Sequence, residues 1–181
     1  MVKLRFISPS EEKFIRKDIY SKFGAKIFEK IKNDYKLMVS EGKKKSIFLV
    51  PPQLIEIFKK IKPIISPLFL GVYFGDILKN ELKIHIAAIQ LISEYSKKYM
   101  NVTGKGEQTA LYGRNIPLKF VKEVNIPIKK GEFIFVRNEL NESIAIGKFL
   151  INSEYITEIK NPNKIIIKVI MDLGLYLRIE S

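Results

Sequence analysis

The sequence predicts an α+β protein in two parts, a first half in which helices cover an antiparallel sheet and a second half that forms a small β-barrel. Three observations predict it. Apolar residues recur at helical spacing from Phe14 to Ile31, and strand-like runs in pairs follow as far as Ile89. Beyond Lys97-Lys98, short strand-like runs alternate with Gly, Asn and Pro turns to the end of the chain. Helices beside hairpins belong to the α+β class, and many short strands with regular turns belong to barrels.

The first helix opens at Ser8-Pro9-Ser10-Glu11-Glu12, which supplies a hydroxyl cap, an early proline and carboxylates at the positive end of the helix dipole. Phe14, Ile15, Ile19, Phe23, Ile27, Phe28 and Ile31 form its apolar stripe, and Gly24 bends or divides it. Tyr35 to Val39 reads as a strand, Glu41-Gly42-Lys43 as a hairpin turn and Ser46 to Val50 as the returning strand. Pro51-Pro52 stops that strand and starts a short helix with Leu54, Ile57, Phe58 and Ile61, which Pro63 and Pro67 end. Leu68 to Asp76 and Leu82 to Ile89 read as two more strands around a turn at Lys79-Asn80-Glu81, and Ala88 to Tyr95 tends to helix. The charged joint at Lys97-Lys98 divides the chain into domains 1–96 and 97–181.

Downstream, strands are expected at Met100 to Val102, Phe133 to Val136, Ser143 to Ile146 and Lys164 to Met171. Turn signals at Lys130-Gly131-Glu132, Asn138 to Glu142 and Asn161-Pro162-Asn163 separate them. One helix, Gly106 to Tyr112, interrupts the barrel and is closed by Gly113 in the left-handed conformation.

Charge is the first functional clue. The 181 residues hold 32 Lys+Arg against 19 Asp+Glu, a net +13. Such an excess favours a polyanionic partner, because neutralising phosphates releases condensed counterions; the bland alternative is a set of lysines on solvated faces. Residues 1–98 carry 20 basic and 10 acidic side chains, and residues 99–181 carry 12 and 9, so the excess lies in the first half. The absence of cysteine excludes disulfides and thiolate chemistry, and a single histidine, His85, excludes a histidine-rich metal cluster. The longest apolar run, Ile64 to Tyr73, is broken by Pro67 and Gly71, and the N-terminus lacks an export signal. A soluble intracellular protein with no membrane partner is expected. Gly104-x-Gly106 lacks the third glycine of a dinucleotide loop, no phosphate loop follows, and no carboxylate pair suited to acid/base work emerges. No enzyme, metal or cofactor is therefore expected.

The second half resembles a PUA domain, a small pseudo-barrel of RNA-modifying and ribosome-assembly proteins. The resemblance rests on Gly104 to Asn115, a helix followed by a glycine turn, and on Asp172 to Arg178, read as a closing strand. With Glu107-Gln108, Leu111-Tyr112-Gly113 and the Asp-x-Gly-x-Tyr-x-Arg ending, the whole chain resembles the Nip-seven family of large-subunit ribosome biogenesis proteins. Ile7 to Glu12, Leu70 to Gly75 and Lys83 to Ile86 fit that family more loosely. The resemblance implies a pre-PUA α/β domain followed by a PUA barrel that binds RNA. It implies an accessory role in pre-rRNA maturation, on single-stranded regions, beside assembly factors or RNA-processing machinery. The alternative is an RNA-modifying enzyme whose catalytic domain is the first half, and a third reading is a protein-binding adaptor. A monomer is expected, and the Lys/Ile-rich composition suggests an archaeal, cytoplasmic protein (nucleolar if the source were eukaryotic).

Near the barrel's helix and last strands, Lys105, Arg114, Lys148, Lys160, Lys164, Lys168 and Arg178 are the candidate RNA contacts. Lys160 and Lys164 flank one turn, and such side chains position RNA by its phosphates without reading sequence. Any one of them can equally be a solvated lysine; the set favours contact. Lys43-Lys44-Lys45 reads as a solvated hairpin end, with a phosphate track or an acidic partner as the alternative. Tyr112 and Tyr176 stand beside Arg114 and Arg178 where bases can stack, yet both sit in apolar patterns that favour the core. His85 and Asp172 read as structural.

Overall fold

The computed structural model describes residues 3–65, 67–79, 81–125, 127–175 and 178. The chain divides into two compact units, 1–88 and 89–181.

In the first unit, strand β1 (Lys3–Phe6) leads into helices α1 (Pro9–Phe23) and α2 (Ala25–Asp34). Gly24 divides them as expected, at φ +95°, a left-handed conformation that glycine adopts without a Cβ penalty. Ser8 and Glu11 form a complete capping box at the start of α1. Hairpin β2 (Lys36–Glu41) and β3 (Lys45–Val50), helix α3 (Pro52–Ile61) and hairpin β4 (Val72–Leu78) and β5 (Glu81–Ile84) complete the unit. The five strands stand in sequence order and every neighbouring pair is antiparallel.

Both faces of this sheet are covered. Met38, Phe48 and Val50 cluster with Ile55 and Phe58 of α3. Side chains alternate along a strand, so Leu37, Val39, Ile47 and Leu49, all buried, point to the opposite face, on the side of α1 and α2. β1 was not expected, because Met1 to Phe6 is too short for its alternation to stand out. The fourth strand begins at Val72 rather than Leu68: Gly71 turns at φ +76° with its Cα against the Leu49 carbonyl, and Leu68 and Phe69 are exposed before it. The fifth ends at Ile84 rather than Ile89, where the chain enters a 3-10 turn (Ile86–Ala88).

The second unit begins with helix α4 (Ile89–Glu94), which lies ahead of the Lys97-Lys98 joint. Gln90 Oε1 accepts from Ser143 N at 2.9 Å, and Arg137 donates to Ser93 O at 3.0 Å with its guanidinium 4.0 Å over the Tyr99 ring. These contacts hold α4 to the barrel. There follow β6 (Tyr99–Val102), α5 (Gly104–Leu111), β7 (Ile116–Pro117), β8 (Val121–Val124), β9 (Phe133–Arg137), β10 (Ser143–Phe149) and β11 (Ile165–Asp172). Their order is β7-β11-β10-β9-β6-β8, with β6 and β9 parallel. The end strands β7 and β8 are joined by a single 3-10 turn, Leu118–Phe120, so the sheet curls back on itself as a pseudo-barrel. Met100, Val102, Ile134, Val136, Ile144, Phe149, Ile166 and Ile167 fill its interior beside Ala110 of α5. Gly106 lets α5 approach closely, since a Cβ there would stand 2.7 Å from Val102 Cβ and 2.9 Å from Phe120 O.

One expected strand is corrected. β11 stops at Asp172, and Leu175 and Arg178 are helical, with Arg178 N donating to Gly174 O at 3.3 Å. The turn brings Arg178 back onto Asp172, which an extended chain over six residues could not do.

Candidate nucleic-acid interface

The structure places the seven candidate cations in three settings. The first is the face of the β10–β11 hairpin. Lys148 and Lys168 are directly paired residues on these antiparallel strands, and on its other side Lys148 pairs with Phe133. Directly opposed side chains share a face, so the two ammonium groups and the Phe133 ring form one row. Lys148 Nζ stands 5.0 Å from the ring centroid. Opposed like charges are themselves unfavourable, and no ion pair among the described residues neutralises either.

The second setting is the turn before β11. Asn161 O accepts from Lys164 N at 3.1 Å and Asn161 Oδ1 from Asn163 N at 2.9 Å, which fixes the loop that carries Lys160 and Lys164, both exposed. The same turn holds two backbone bonds from the segment after β7: Lys119 N to Pro162 O and Leu118 N to Lys164 O, each 2.9 Å. Lys119, exposed, therefore joins this edge, and sequence reasoning missed it because its segment showed no strand or turn signal.

The third setting is the end of α5. Gly113 at φ +67° makes a Schellman-type close, Gly113 N to Ala110 O at 2.8 Å and Arg114 N to Thr109 O at 3.1 Å. The expectation that Tyr112 is core is corrected: it is 57% exposed, because it stands two residues beyond the buried Ala110 and so on the opposite side of α5, and the Arg114 guanidinium lies 5.7 Å from its ring centroid. That makes an exposed aromatic–guanidinium pair. Lys105 is exposed in the first turn of the same helix. Tyr176, and Leu177 beside it, lie outside the described residues.

Arg178 stands apart from the other six. Its guanidinium donates two bonds of 2.9 Å to the buried Asp172 carboxylate and a third to the Leu111 carbonyl. The carboxylate raises its pKa above the ordinary arginine value. This fork ties the end of β11 to the end of α5.

In the first unit the basic run is largely paired. Lys44 meets Asp76, Lys45 meets Glu11 at 2.7 Å, and Lys43 is exposed. His85 lies on Tyr73, ring centroids 4.4 Å apart, with its Nδ1 accepting from Ala87 N at 3.3 Å. Burial pushes its pKa down, against the pull of Asp76. Among the described residues no group of three His, Cys, Asp or Glu is placed to hold a metal, and no helix is long and apolar enough to cross a membrane.

Comparison with known proteins came to the same architecture. The family profile described as NIP7/UPF0113, pre-PUA domain, matches residues 4–86, and the UPF0113 PUA domain matches residues 98–181. No curated protein matches the chain. Among solved structures, a hypothetical protein of the hyperthermophilic archaeon Pyrococcus horikoshii OT3 aligns at TM-score 0.62 and 16% identity over 98% of this chain and 99% of its own. A PUA domain from Aeropyrum pernix K1, in complex with tartrate, aligns at 0.67 and 11% over 98% and 89%. A conserved PUA domain protein from Thermoplasma acidophilum aligns at 0.58 and 16% over 97% of each chain. At these identities the likeness is one of fold.

Proposed function

The chain belongs to the NIP7/UPF0113 family, a pre-PUA domain followed by a PUA domain, and from that premise we propose that it is a non-catalytic RNA-binding factor of large-subunit ribosome assembly. In this reading the PUA domain holds pre-rRNA by its backbone, and the pre-PUA domain meets assembly factors or processing machinery in the cytoplasm. A PUA domain implies RNA binding; the rRNA target, the partners and the place of work are the proposal.

The observation that carries it is the Lys148–Lys168 pair. Two unneutralised cations opposed across a hairpin disfavour the isolated fold slightly, and a bound phosphate turns that repulsion into attraction. Three other cations of this unit have carboxylate partners within it: Lys98 with Glu132 at 2.8 Å, Lys122 with Glu139 at 2.6 Å, and Arg178 with Asp172. Lys148, Lys160, Lys164 and Lys168 are in no such pair among the described residues. The non-catalytic reading draws on the carboxylates of the first unit. Its buried ones, Glu11 and Asp76, are engaged in ion pairs, Glu11 with Arg5 and Lys45 and Asp76 with Lys44, rather than standing free as an acid, base or nucleophile.

The test is RNA affinity over a salt series. Lys148→Ala/Lys168→Ala is expected to weaken single-stranded RNA binding at least tenfold at low salt. It should also make the slope of log K against log salt shallower by about 1.4, near 0.7 for each lost phosphate contact. Melting should be unchanged or slightly raised, since a repulsion is removed. A double variant with wild-type affinity and slope would exclude this face.

A further inference from the structure

We propose that the groove between the loop 129–132 and the 3-10 turn Ser153–Glu158 is a subsite for one nucleotide of single-stranded RNA, with the base on Tyr155 and its phosphate between Lys130 and Lys164. The inference rests on the RNA-binding reading and names a second, base-contacting site away from the Lys148–Lys168 row.

The groove has a volume of about 300 Å³ and is lined by Lys130, Leu150, Asn152, Tyr155, Ile159 and Lys164. That volume is at the small end of ligand pockets, matched to one nucleotide and too small for a base pair. Its floor is apolar, Leu150 and Ile159. Tyr155 is 49% exposed, so its ring presents area that the barrel does not use. Base stacking on such a ring tolerates any base, because each base has a π-face.

The walls are fixed before any ligand arrives. Gly131 N donates to Phe149 O at 2.7 Å, Lys130 N to Asn152 Oδ1 at 2.8 Å and Ser153 N to Ile128 O at 2.8 Å, and Ser153 Oγ accepts from Ile128 N at 2.8 Å. Leu150 N to Ile166 O at 2.8 Å holds the floor to β11. The Lys130 and Lys164 ammonium groups and the Tyr155 hydroxyl are in no hydrogen bond or ion pair among the described residues. Charge also orients the ligand. The 3-10 turn that carries Tyr155 is acidic, with Glu154 and Glu158, whereas Lys130 and Lys164 supply the groove's positive charge and attract a phosphate to themselves. The base then falls on the tyrosine and the phosphate between the lysines. Recognition of an unstacked base is open to a single strand and closed to a duplex.

The shared chemistry is a nucleoside monophosphate unit, which a free nucleotide also offers. The full chain is titrated with 12-nucleotide oligo-uridine and oligo-adenosine strands, with their duplex, and with UMP and AMP. The expected result is that Tyr155→Ala weakens single-strand binding about tenfold, while Tyr155→Phe, which keeps the ring, binds as wild type. Duplex binding stays the same in both, as does the melting temperature. Lys130→Ala and Lys164→Ala each make the salt slope shallower by about 0.7. Free nucleotides should bind at least a hundredfold more weakly than the strands; equal affinity would assign the groove to a free nucleotide and overturn the RNA subsite. Wild-type single-strand affinity in Tyr155→Ala overturns the subsite and leaves the Lys148–Lys168 face standing. No RNA binding by the wild type removes both readings.

Discussion

Glu11→Ala is expected to cost the first unit about 3 kcal/mol at neutral pH. The Glu11 side chain is 9% exposed and accepts four donors: two from Arg5 at 2.9 Å each, Lys45 Nζ at 2.7 Å and Ser8 N at 2.8 Å. Losing the cap alone costs about 1 kcal/mol. Removing one member of a buried pair costs roughly 3–5 kcal/mol when the other is stranded. Here Arg5 keeps Glu41 and is 31% exposed, so the total falls toward the lower figure. The same carboxyl makes the unit acid-sensitive. Arg5 chiefly, then Lys45 and the Ser8 amide, hold its pKa far below the usual glutamate range, overcoming the opposing effect of burial. The unfolded chain therefore takes up the proton first. The stabilisation is present above the ordinary glutamate pKa near 4.3 and is lost progressively as pH falls below about 5. Glu12 and Glu41 are lowered too, by Lys32 and by Arg5, and add in the same direction. Urea unfolding at pH 7 and across pH 3–6 checks this. A loss under 1 kcal/mol, or an acid limb as steep in Glu11→Gln as in wild type, would show that the network is not what holds this corner.

Gly174→Ala is expected to destabilise the second unit by about 3 kcal/mol, the upper part of the range for overpacking. A Cβ at Gly174 would lie 1.9 Å from the Leu111 carbonyl oxygen and 2.8 Å from its carbon. Both are backbone atoms, so no side-chain rotation relieves the clash, and the end of β11 must move away from α5. That movement pulls on the Arg178 fork, which joins Asp172 to the same carbonyl. Gly104→Ala is the control: its Cβ would meet nothing within 4 Å and it stands in the first turn of α5. Denaturant midpoints of the two variants should separate clearly. Equal midpoints would mean that the chain beyond Asp172 does not lean on α5.

Most elements of the first unit were legible because periodicity and punctuation agreed. The capped stripe of α1 and α2, the split at Gly24 and the turn around Gly42 are local signals that packing reinforced. In the second unit α5 and its left-handed close at Gly113 were equally plain. What stayed hidden is decided by contacts distant in sequence. β7 is two residues long and exists because β11 pairs with it. Leu173 and Leu175 alternate like a strand, yet the approach of Gly174 to Leu111 and the return of Arg178 to Asp172 require a turn. Tyr112 reads as core from its apolar neighbours, yet α5 buries the face of Gly106 and Ala110, and Tyr112 stands off that face. The candidate interface was legible in part. Lys148, Lys160, Lys164 and Lys168 were proposed from their strand and turn positions, but that Lys148 faces Lys168 depends on register. Lys119 and Lys130 are placed by hydrogen bonds from their backbone N–H groups to Pro162 O and Asn152 Oδ1, more than twenty positions away, a relation no local pattern carries.

The strand order also sets a timetable for the growing chain. In the first unit each hairpin closes on its own neighbour, and the five-stranded sheet can be complete once residue 84 is free. The second unit cannot do this. Its first strand, β6, waits for β9 before it has a parallel partner, and β7 waits for β11, whose last partner of that pair is Ile167. Such non-local closure is slow in itself. At a synthesis rate of about 5–20 residues per second, the sheet of the first unit has several seconds to form before the barrel can shut. For that interval the strands of the barrel lack their final partners while the first unit can already be folded.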